Sequence, residues 1–149
     1  MEKEIKISHA SWRDLSQVMH VEKECFPLDV WPMLDVLGVL SFPWFVRIKA
    51  EYGEKIVGFI AGEIKKAGQE GWVSTIGVLP DYQRLRIGEK LLVACEKELN
   101  MSIVKLSVRE SSHGAVSFYK DMGYTVIGMW KKYYKGGEDA LVMQKQFEK

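Results

Sequence analysis

A short basic segment, Gln83–Gly88, has the residue types of a phosphate-binding loop. It follows an extended apolar segment, Trp72–Leu79, and a Pro-Asp turn, and it leads directly into an amphipathic helix. The free N–H groups and the positive dipole end of a helix N-terminus favour an anion, and Arg84 and Arg86 add two positive charges. A solvated basic turn would have a similar composition, but the order of strand, loop and helix favours a pyrophosphate site.

This segment resembles the acetyl-CoA loop of the GNAT acetyltransferases, whose pattern is Gln/Arg-x-x-Gly-x-Gly/Ala. The resemblance implies that acetyl-CoA is the co-substrate. It implies that the pyrophosphate is held by backbone N–H groups of a continuous run, Arg84, Leu85, Arg86, Ile87, Gly88 and Glu89. It also implies that the pantetheine arm pairs, like an added strand, with the backbone of Ile76, Gly77 and Val78.

The chain departs from this pattern at Arg86, which replaces the first glycine. That glycine permits a positive φ and a close approach of the backbone. A side chain in the left-handed conformation costs about 1–2 kcal/mol, and a contact between its guanidinium and a phosphate would partly offset this cost. We interpret the segment as a modified loop that still binds the cofactor.

Tyr119 is the candidate general acid. A phenol with a pKa near 10 is protonated at neutral pH and can hydrogen-bond a sulfur as charge develops on it. The spacing of Ala115, Phe118, Tyr119 and Met122 also fits a tyrosine packed on the apolar face of a helix. The surrounding stretch resembles one in GNAT N-terminal protein acetyltransferases, Leu-Glu-Val-Arg-x-Ser-Asn-x-x-Ala-x-x-x-Tyr-x-x-x-Gly-Phe. The resemblance implies that Tyr119 protonates the departing CoA thiolate.

Two serines replace functional residues of that stretch. Ser112 stands where the family has an asparagine that touches the cofactor, and Ser107 stands where the RimI-like subgroup has a glutamate base. Serine cannot be a general base at neutral pH, although its hydroxyl can position a water. The candidate carboxylates for a water chain are Glu110 and Glu63, and each also fits a solvated surface residue. His113 is expected at a helix N-terminus, where the dipole disfavours its cation.

The C-terminal hairpin supplies candidate substrate-binding residues. The stretch from Tyr133 and Tyr134 to Met143 resembles the Tyr-Tyr…Gly-Glu-Asp-Ala-x-x-Met ending of RimI-like and archaeal N-terminal acetyltransferases. The resemblance implies that both tyrosines line a peptide groove, with Phe26 and Pro27 in its opposite wall. An aromatic-rich hairpin is the alternative, because strands favour tyrosine in any case.

Apolar periodicity and turn residues predict an α/β fold with the element order β-α-α-β-β-β-α-β-α-β-β. This is the element order of the GNAT fold, with a mixed central sheet of about seven strands and four helices, and we expect a single domain over residues 1–149. The predicted strands are Ile5–Ser8, Phe45–Glu51, Ile56–Lys65, Trp72–Leu79, Ile103–Val108, Thr125–Tyr134 and Ala140–Phe147. The predicted helices begin near Ser11, Pro32, Ile87 and Ala115.

Composition narrows the classes of partner. The 149 residues carry a formal net charge of +1, which gives no global basic field for nucleic acid. Cys25 and Cys95 lie in apolar helical patterns and are expected to be buried free thiols, and no Cys/His spacing indicates a metal site. No apolar run follows the charged N-terminus, so we expect a cytoplasmic protein that binds no membrane. We expect it to be a monomer or a homodimer.

The predicted function is acetyl transfer from acetyl-CoA to an amine, by direct attack in a ternary complex. The favoured acceptor is the α-amino group of a protein or peptide N-terminus. With a pKa near 8, this amine is partly neutral already and needs only a weak base. Two alternatives stay open: an enzyme acting on a small-molecule amine or a lysine side chain, and a CoA-binding module without catalysis. Arg86, Ser107 and Ser112 favour the module, and Tyr119 opposes it.

Overall fold

Strands and helices follow one another along the chain in the predicted order. The computed structural model describes residues 4–65, 67 and 69–148. The strands are β1 (Ile5–His9), β2 (Phe45–Tyr52), β3 (Lys55–Lys65), β4 (Glu70–Val78), β5 (Ile103–Arg109), β6 (Thr125–Trp130) and β7 (Ala140–Gln146). The helices are α1 (Leu15–Cys25), α2 (Met33–Ser41), α3 (Ile87–Leu99) and α4 (His113–Asp121), and 3₁₀ turns lie at Trp12–Asp14 and Pro80–Leu85.

The strands form one sheet in the order β1-β2-β3-β4-β5-β7-β6. Neighbouring strands are antiparallel except β4 and β5, which are parallel and joined through α3. Within the described ranges these two strands pair only where Gly71 meets Val104 and Trp72 meets Lys105. Beyond this point they diverge, and the gap between them opens the middle of the sheet.

Helix packing follows the apolar stripes of the sequence. Ile87, Leu91, Cys95 and Leu99 of α3 are all buried, as the helical spacing predicted. The Ser11 hydroxyl accepts from the Arg13 N–H while Asp14 accepts from the Ser11 N–H, which forms the expected cap before α1. The two cysteines are free, but only Cys95 is fully buried, because Cys25 lies half-buried at the end of α1.

Two predicted elements differ from the structure. The strand predicted as Thr125–Tyr134 ends at Trp130, since Lys132 is left-handed with φ 51° and its N–H donates to Asp139 Oδ1 instead of to a neighbouring strand. Tyr133 and Tyr134 therefore lie in the β6–β7 loop. Gln83, Arg84 and Leu85 are not part of an open loop before α3, because Pro80 begins a 3₁₀ turn that runs to Leu85.

Candidate active site

Three cavities follow one another along one side of the molecule. The β4–α3 cleft, of about 560 Å³, lies between the end of β4, the 3₁₀ turn, the start of α3 and one face of α4. The central cavity, of about 190 Å³, lies where β4 and β5 diverge. The α2 groove, of about 880 Å³, lies between α2 and the β6–β7 loop. The central cavity shares Ile76, Ala115 and Tyr119 with the cleft, and it shares Asp29, Trp31 and Tyr134 with the groove.

The β4–α3 cleft contains most of the residues predicted to bind acetyl-CoA. Its lining includes Ile76, Gly77, Val78, Arg84, Arg86, Gly88 and Glu89. Two residues of the run Arg84–Glu89 stay outside: the Leu85 side chain is 48% exposed, and the Ile87 side chain is fully buried in the core. These two can therefore offer only backbone groups. The N-terminus of α3 opens beside the two arginines, which is the arrangement that suits a pyrophosphate.

Arg86 adopts the left-handed conformation of the glycine that it replaces. Its φ is 58° and its ψ is 27°, and it directly precedes the first residue of α3. The backbone geometry of the loop is thus kept, and the strain is carried by a non-glycine residue. The exposed side chain lines the cleft, so its guanidinium can reach a bound anion.

Substitutions at Arg86 should separate backbone strain from phosphate contact. Arg86→Gly should raise the free energy of unfolding by about 1–2 kcal/mol, because glycine adopts this φ without cost. Arg86→Ala keeps the strain and should not have this effect. Both changes remove the guanidinium and should weaken CoA binding about two- to fivefold, measured by calorimetry. Unchanged thermal stability in Arg86→Gly, or unchanged CoA binding in both variants, would contradict this assignment.

The end of β4 has close neighbours that constrain cofactor binding. The Val78 carbonyl oxygen accepts from Gln83 Nε2 at 3.0 Å and from Cys25 Sγ at 3.3 Å. A carbonyl oxygen has two lone pairs, so a pantetheine arm pairing with this oxygen has to displace one of these donors. A Cβ on Gly77 would lie 3.0 Å from Cys25 Sγ, and the close approach of α1 therefore requires glycine there.

Tyr119 stands at the junction between the cleft and the central cavity. Its side chain is only 7% exposed and packs edge-on against Phe118 and Tyr124. No described residue hydrogen-bonds its hydroxyl, and no fully buried polar side-chain atom in the described ranges lacks a partner, so the hydroxyl has access to the cavities. Burial raises the pKa of Tyr119, with a smaller contribution from Tyr134, and keeps the phenol protonated.

The central cavity brings together residues from distant parts of the chain. Those predicted from the sequence are Phe26, Ile76, Ser107, Ser112, Tyr119 and Tyr134. Ser107 Oγ and Tyr134 Oη are 3.4 Å apart, and burial raises the pKa of Tyr134. Ser112 lies here and not in the β4–α3 cleft, whereas Pro27 is exposed and lines none of the three cavities.

Neither carboxylate predicted as the end of a water chain lines these cavities. Glu63 lies on β3 opposite Phe45 and Trp72, at the level where β4 and β5 are still paired. Glu110 is exposed in the turn that follows β5. Neither residue therefore shares a cavity with Tyr119.

Glu22 is an acidic residue of the central cavity that the sequence analysis missed. It is 2% exposed, it lines the central cavity, and its Oε1 accepts from Thr75 Oγ1 at 2.7 Å. Burial raises its pKa, and the Thr75 hydrogen bond partly opposes that shift. A signal was present in the sequence: Glu22 lies four residues after Val18 and three before Cys25, within the apolar stripe of α1.

Arg109 connects the two walls of the α2 groove. Its Nε and Nη2 donate to Asp29 at 2.9 and 2.7 Å, and its Nη1 donates to Glu138 at 2.9 Å. The guanidinium also lies over the Tyr134 ring, 4.6 Å from its centre. Hydrogen bonds from Ser111 and Arg109 lower the pKa of Glu138 to about 2, so this connection persists through the neutral and mildly acidic range.

The α2 groove has a largely apolar lining. Its apolar side chains are Val30, Trp31, Pro32, Leu34, Val39, Phe42, Phe45, Tyr133 and Tyr134. Its charged side chains are Asp29, Asp35 and Lys135, of which Asp29 is bound by Arg109. Tyr133 is 56% exposed at the outer edge of the groove. An extended chain with apolar side chains fits such a surface.

The described ranges contain no candidate metal site and no candidate membrane-spanning helix. No group of three or more His, Cys, Asp or Glu residues there is arranged to hold a metal ion. Among the described helices, none combines the length and apolarity needed to cross a bilayer.

Known proteins are similar to this chain in both sequence and fold. The model of the acetyltransferase (GNAT) family matches residues 12–124. The N-alpha-acetyltransferase of Sulfurisphaera tokodaii is 30% identical over 95% of this chain and 92% of its own length. The ribosomal-protein-S18-alanine N-acetyltransferase of Escherichia coli superposes with a TM-score of 0.88, at 24% identity over 98% of this chain and 96% of that one.

A second similar structure contains a ligand. Naa50 of Arabidopsis thaliana, in complex with the bisubstrate analogue CoA-Ac-MVNAL, superposes with a TM-score of 0.78. It is 25% identical, over 96% of this chain and 99% of that one. The predicted fold class, with its mixed seven-stranded sheet and four helices, is confirmed by the structure and by these neighbours.

Proposed function

Because the chain belongs to the acetyltransferase (GNAT) family and is an N-acetyltransferase, we propose that it transfers the acetyl group of acetyl-CoA to the α-amino group of a protein or peptide N-terminus. The observation that carries this proposal is the position of Tyr119, which lines both the β4–α3 cleft and the central cavity. An acid at this junction is placed between a cofactor site and an acceptor site.

The proposed chemistry is direct transfer in a ternary complex. The amine nitrogen in the central cavity attacks the acetyl carbonyl carbon, the C–S bond breaks, and Tyr119 gives its proton to the sulfur. The raised pKa of Tyr119 keeps that proton available at neutral pH. Arg84, Arg86 and the N-terminus of α3 bind the pyrophosphate, while Ser107 and Ser112 position water in the central cavity.

The cavity volumes support an acceptor at the end of a longer chain. The central cavity, about 190 Å³, is small and holds little more than an amine and its α-carbon substituents. The α2 groove, about 880 Å³, adjoins it through Trp31 and Tyr134 and has room for the following residues. Its apolar lining favours N-termini whose first side chains are apolar, since burying such a side chain contributes about 1.5–3 kcal/mol.

A small polycationic amine fits the groove less well. Such an acceptor would need unpaired carboxylates along its path. The groove contains Asp29 and Asp35, but Arg109 neutralises Asp29 through two hydrogen bonds.

We also propose that residues 1–149 form a single domain.

Initial rates of CoA release should test the proposed acceptor. We expect a peptide beginning Met-Leu to give a kcat/KM at least about tenfold above the same peptide beginning Asp-Asp. The Met-Leu peptide with a blocked N-terminus should give no release above background. Equal rates for the free and blocked peptides, or a preference for spermidine over every peptide, would overturn the proposal.

A further inference from the structure

We propose that Glu22 is the base that takes the proton of the acceptor amine, a role that rests on the proposed N-acetyltransferase reaction. The residue at the family's usual base position, Ser107, cannot do so. Glu22 reaches the same cavity from α1, while Tyr119 reaches it from α4. The base and the acid thus come from two helices and meet in the gap between β4 and β5.

The proton balance of this step is closed. Glu22 removes one proton from the ammonium form of the acceptor, and the neutral nitrogen attacks the acetyl carbonyl carbon. A C–N bond forms, the C–S bond breaks, and the Tyr119 proton passes to sulfur. The nitrogen loses a second proton as the amide forms, and that proton restores the Tyr119 hydroxyl through solvent. Glu22 then releases its own proton to solvent, and the products are the amide, CoA thiol and one proton.

Glu22 differs from the other carboxylates near the site by the absence of a cationic partner. Asp29 also lines the central cavity, but both its oxygens are bound by Arg109. Glu63 and Glu110 line none of the three cavities. No lysine, arginine or histidine of the described ranges forms an ion pair with Glu22, and its recorded partner is the neutral hydroxyl of Thr75.

The position of Glu22 is costly for folding. It occupies the buried face of α1 beside Val18 and Val21, where an apolar residue would pack without any desolvation cost. Desolvation also makes the carboxylate more basic, which brings its pKa towards that of an α-amine. A costly buried carboxylate that borders a reaction cavity is explained by a chemical role.

The local backbone aims Thr75 and Glu22 into the cavity. The pairing of β3 with β4 shifts register between Ala61 and Gly62, which leaves Ser74 as the extra residue of a β-bulge. Thr75, directly after the bulge, donates to Glu22 and lines the central cavity with it. The bulge thus sets the position of the hydroxyl that donates to the Glu22 carboxylate.

Other titratable groups border the Glu22 carboxylate from several elements. Cys25 lies one turn further along α1, and its thiol pKa is raised by burial and by the Glu22 charge to about 11. Arg109 pairs with both Asp29 and Glu138, and Tyr119 and Tyr134 carry phenols whose pKa values are raised by burial. Glu22 is therefore the carboxylate in this cavity that has no cationic partner and whose pKa is raised by burial.

Glu22→Gln separates a base from a structural residue. The amide keeps the shape and can still accept the Thr75 hydrogen bond, but it cannot take a proton. We expect kcat for the Met-Leu peptide at pH 7 to fall by about 10²–10⁴. The acidic limb of the pH–rate profile that belongs to the carboxylate should disappear, and the residual rate should follow ionisation of the amine. CoA affinity and the melting temperature should stay at the wild-type level or rise.

Thr75→Val is the matched control. It removes the hydrogen bond but leaves a carboxylate that can take a proton, so the acidic limb should be kept and kcat should fall less than in Glu22→Gln. Since this hydrogen bond lowers the pKa of Glu22, its loss should move the acidic limb to higher pH. A shifted limb in Thr75→Val, together with a lost limb in Glu22→Gln, assigns the titration to Glu22.

The opposite results would overturn the proposal. Wild-type kcat and an unchanged acidic limb in Glu22→Gln exclude Glu22 as the base, as does a lower melting temperature with no change in the profile. The same variants are compared with spermidine as acceptor. A wild type that acetylates spermidine but no peptide refutes the proposed function alone, and the loss or retention of turnover in Glu22→Gln on spermidine then decides the role of Glu22.

Discussion

Replacing Tyr119 with phenylalanine should lower kcat by about 10²–10⁴, the usual contribution of a positioned general acid. The phenyl ring keeps the contacts with Phe118 and Tyr124 and fills the same volume, so the fold and CoA affinity should change little. Burial raises the pKa of Tyr119, so the wild-type rate should not fall through ionisation of this phenol below roughly pH 9. Steady-state kinetics and calorimetry with CoA measure both quantities.

Tyr124→Phe is the control for this variant, because it removes the same atom from a neighbouring buried tyrosine. The Tyr124 hydroxyl donates to Glu96 at 2.7 Å and lines none of the three cavities. Its loss should lower stability, since buried Glu96 loses a hydrogen bond, while kcat stays close to wild type. If Tyr119→Phe kept the wild-type kcat, Tyr119 would be a packing residue and the thiolate would leave without this acid.

Replacing Arg109 with alanine should raise the KM for the peptide by about 10–100-fold, because hydrogen bonds to charged groups contribute about 1.5–3 kcal/mol each. The change frees Asp29, which lines the α2 groove, and Glu138 of the β6–β7 loop. It also removes the cation from the Tyr134 ring. Affinity for CoA should stay unchanged, since Arg109 does not line the β4–α3 cleft.

Lys49→Ala is the matched control, because Lys49 also bridges two carboxylates. It lies on β2 and pairs with Asp14 at 3.1 Å and Glu51 at 3.6 Å, outside all three cavities. This variant should keep the wild-type KM. A peptide KM in Arg109→Ala that matches Lys49→Ala would show that the groove does not depend on this connection.

The elements of the fold were predictable because local signals specify them. Period-two alternation gave β2 and β3 to within a residue at each end, and the stripe from Ile87 to Leu99 gave α3. The strand predicted to Tyr134 was too long, because tyrosine favours strands wherever it occurs and nothing local marks the left-handed Lys132. The family pattern has at position 86 a glycine that permits a positive φ, and the structure shows Arg86 with a φ of 58°.

The acceptor side of the site was less predictable, because it depends on which residues meet across the divergence of β4 and β5. Nearness in sequence suggested Glu110, and a place on the preceding hairpin suggested Glu63, yet neither lines a cavity that Tyr119 lines. Glu22 was overlooked because the helix was judged by its apolar positions, and a charge within the stripe was not weighed as a signal. The contact between Glu22 and Thr75 joins residues 53 positions apart, and no local pattern encodes it.

Mapping the acetyl group on a product peptide tests the central claim most directly. The peptide carries a free N-terminus, begins Met-Leu and contains one internal lysine. It is incubated with the protein and acetyl-CoA and sequenced by tandem mass spectrometry. We predict one acetyl group, on the α-amino nitrogen, with the lysine unmodified. Acetylation of the lysine with a free N-terminus, or no enzyme-dependent acetylation of the peptide, would contradict the assignment of an N-terminal acetyltransferase.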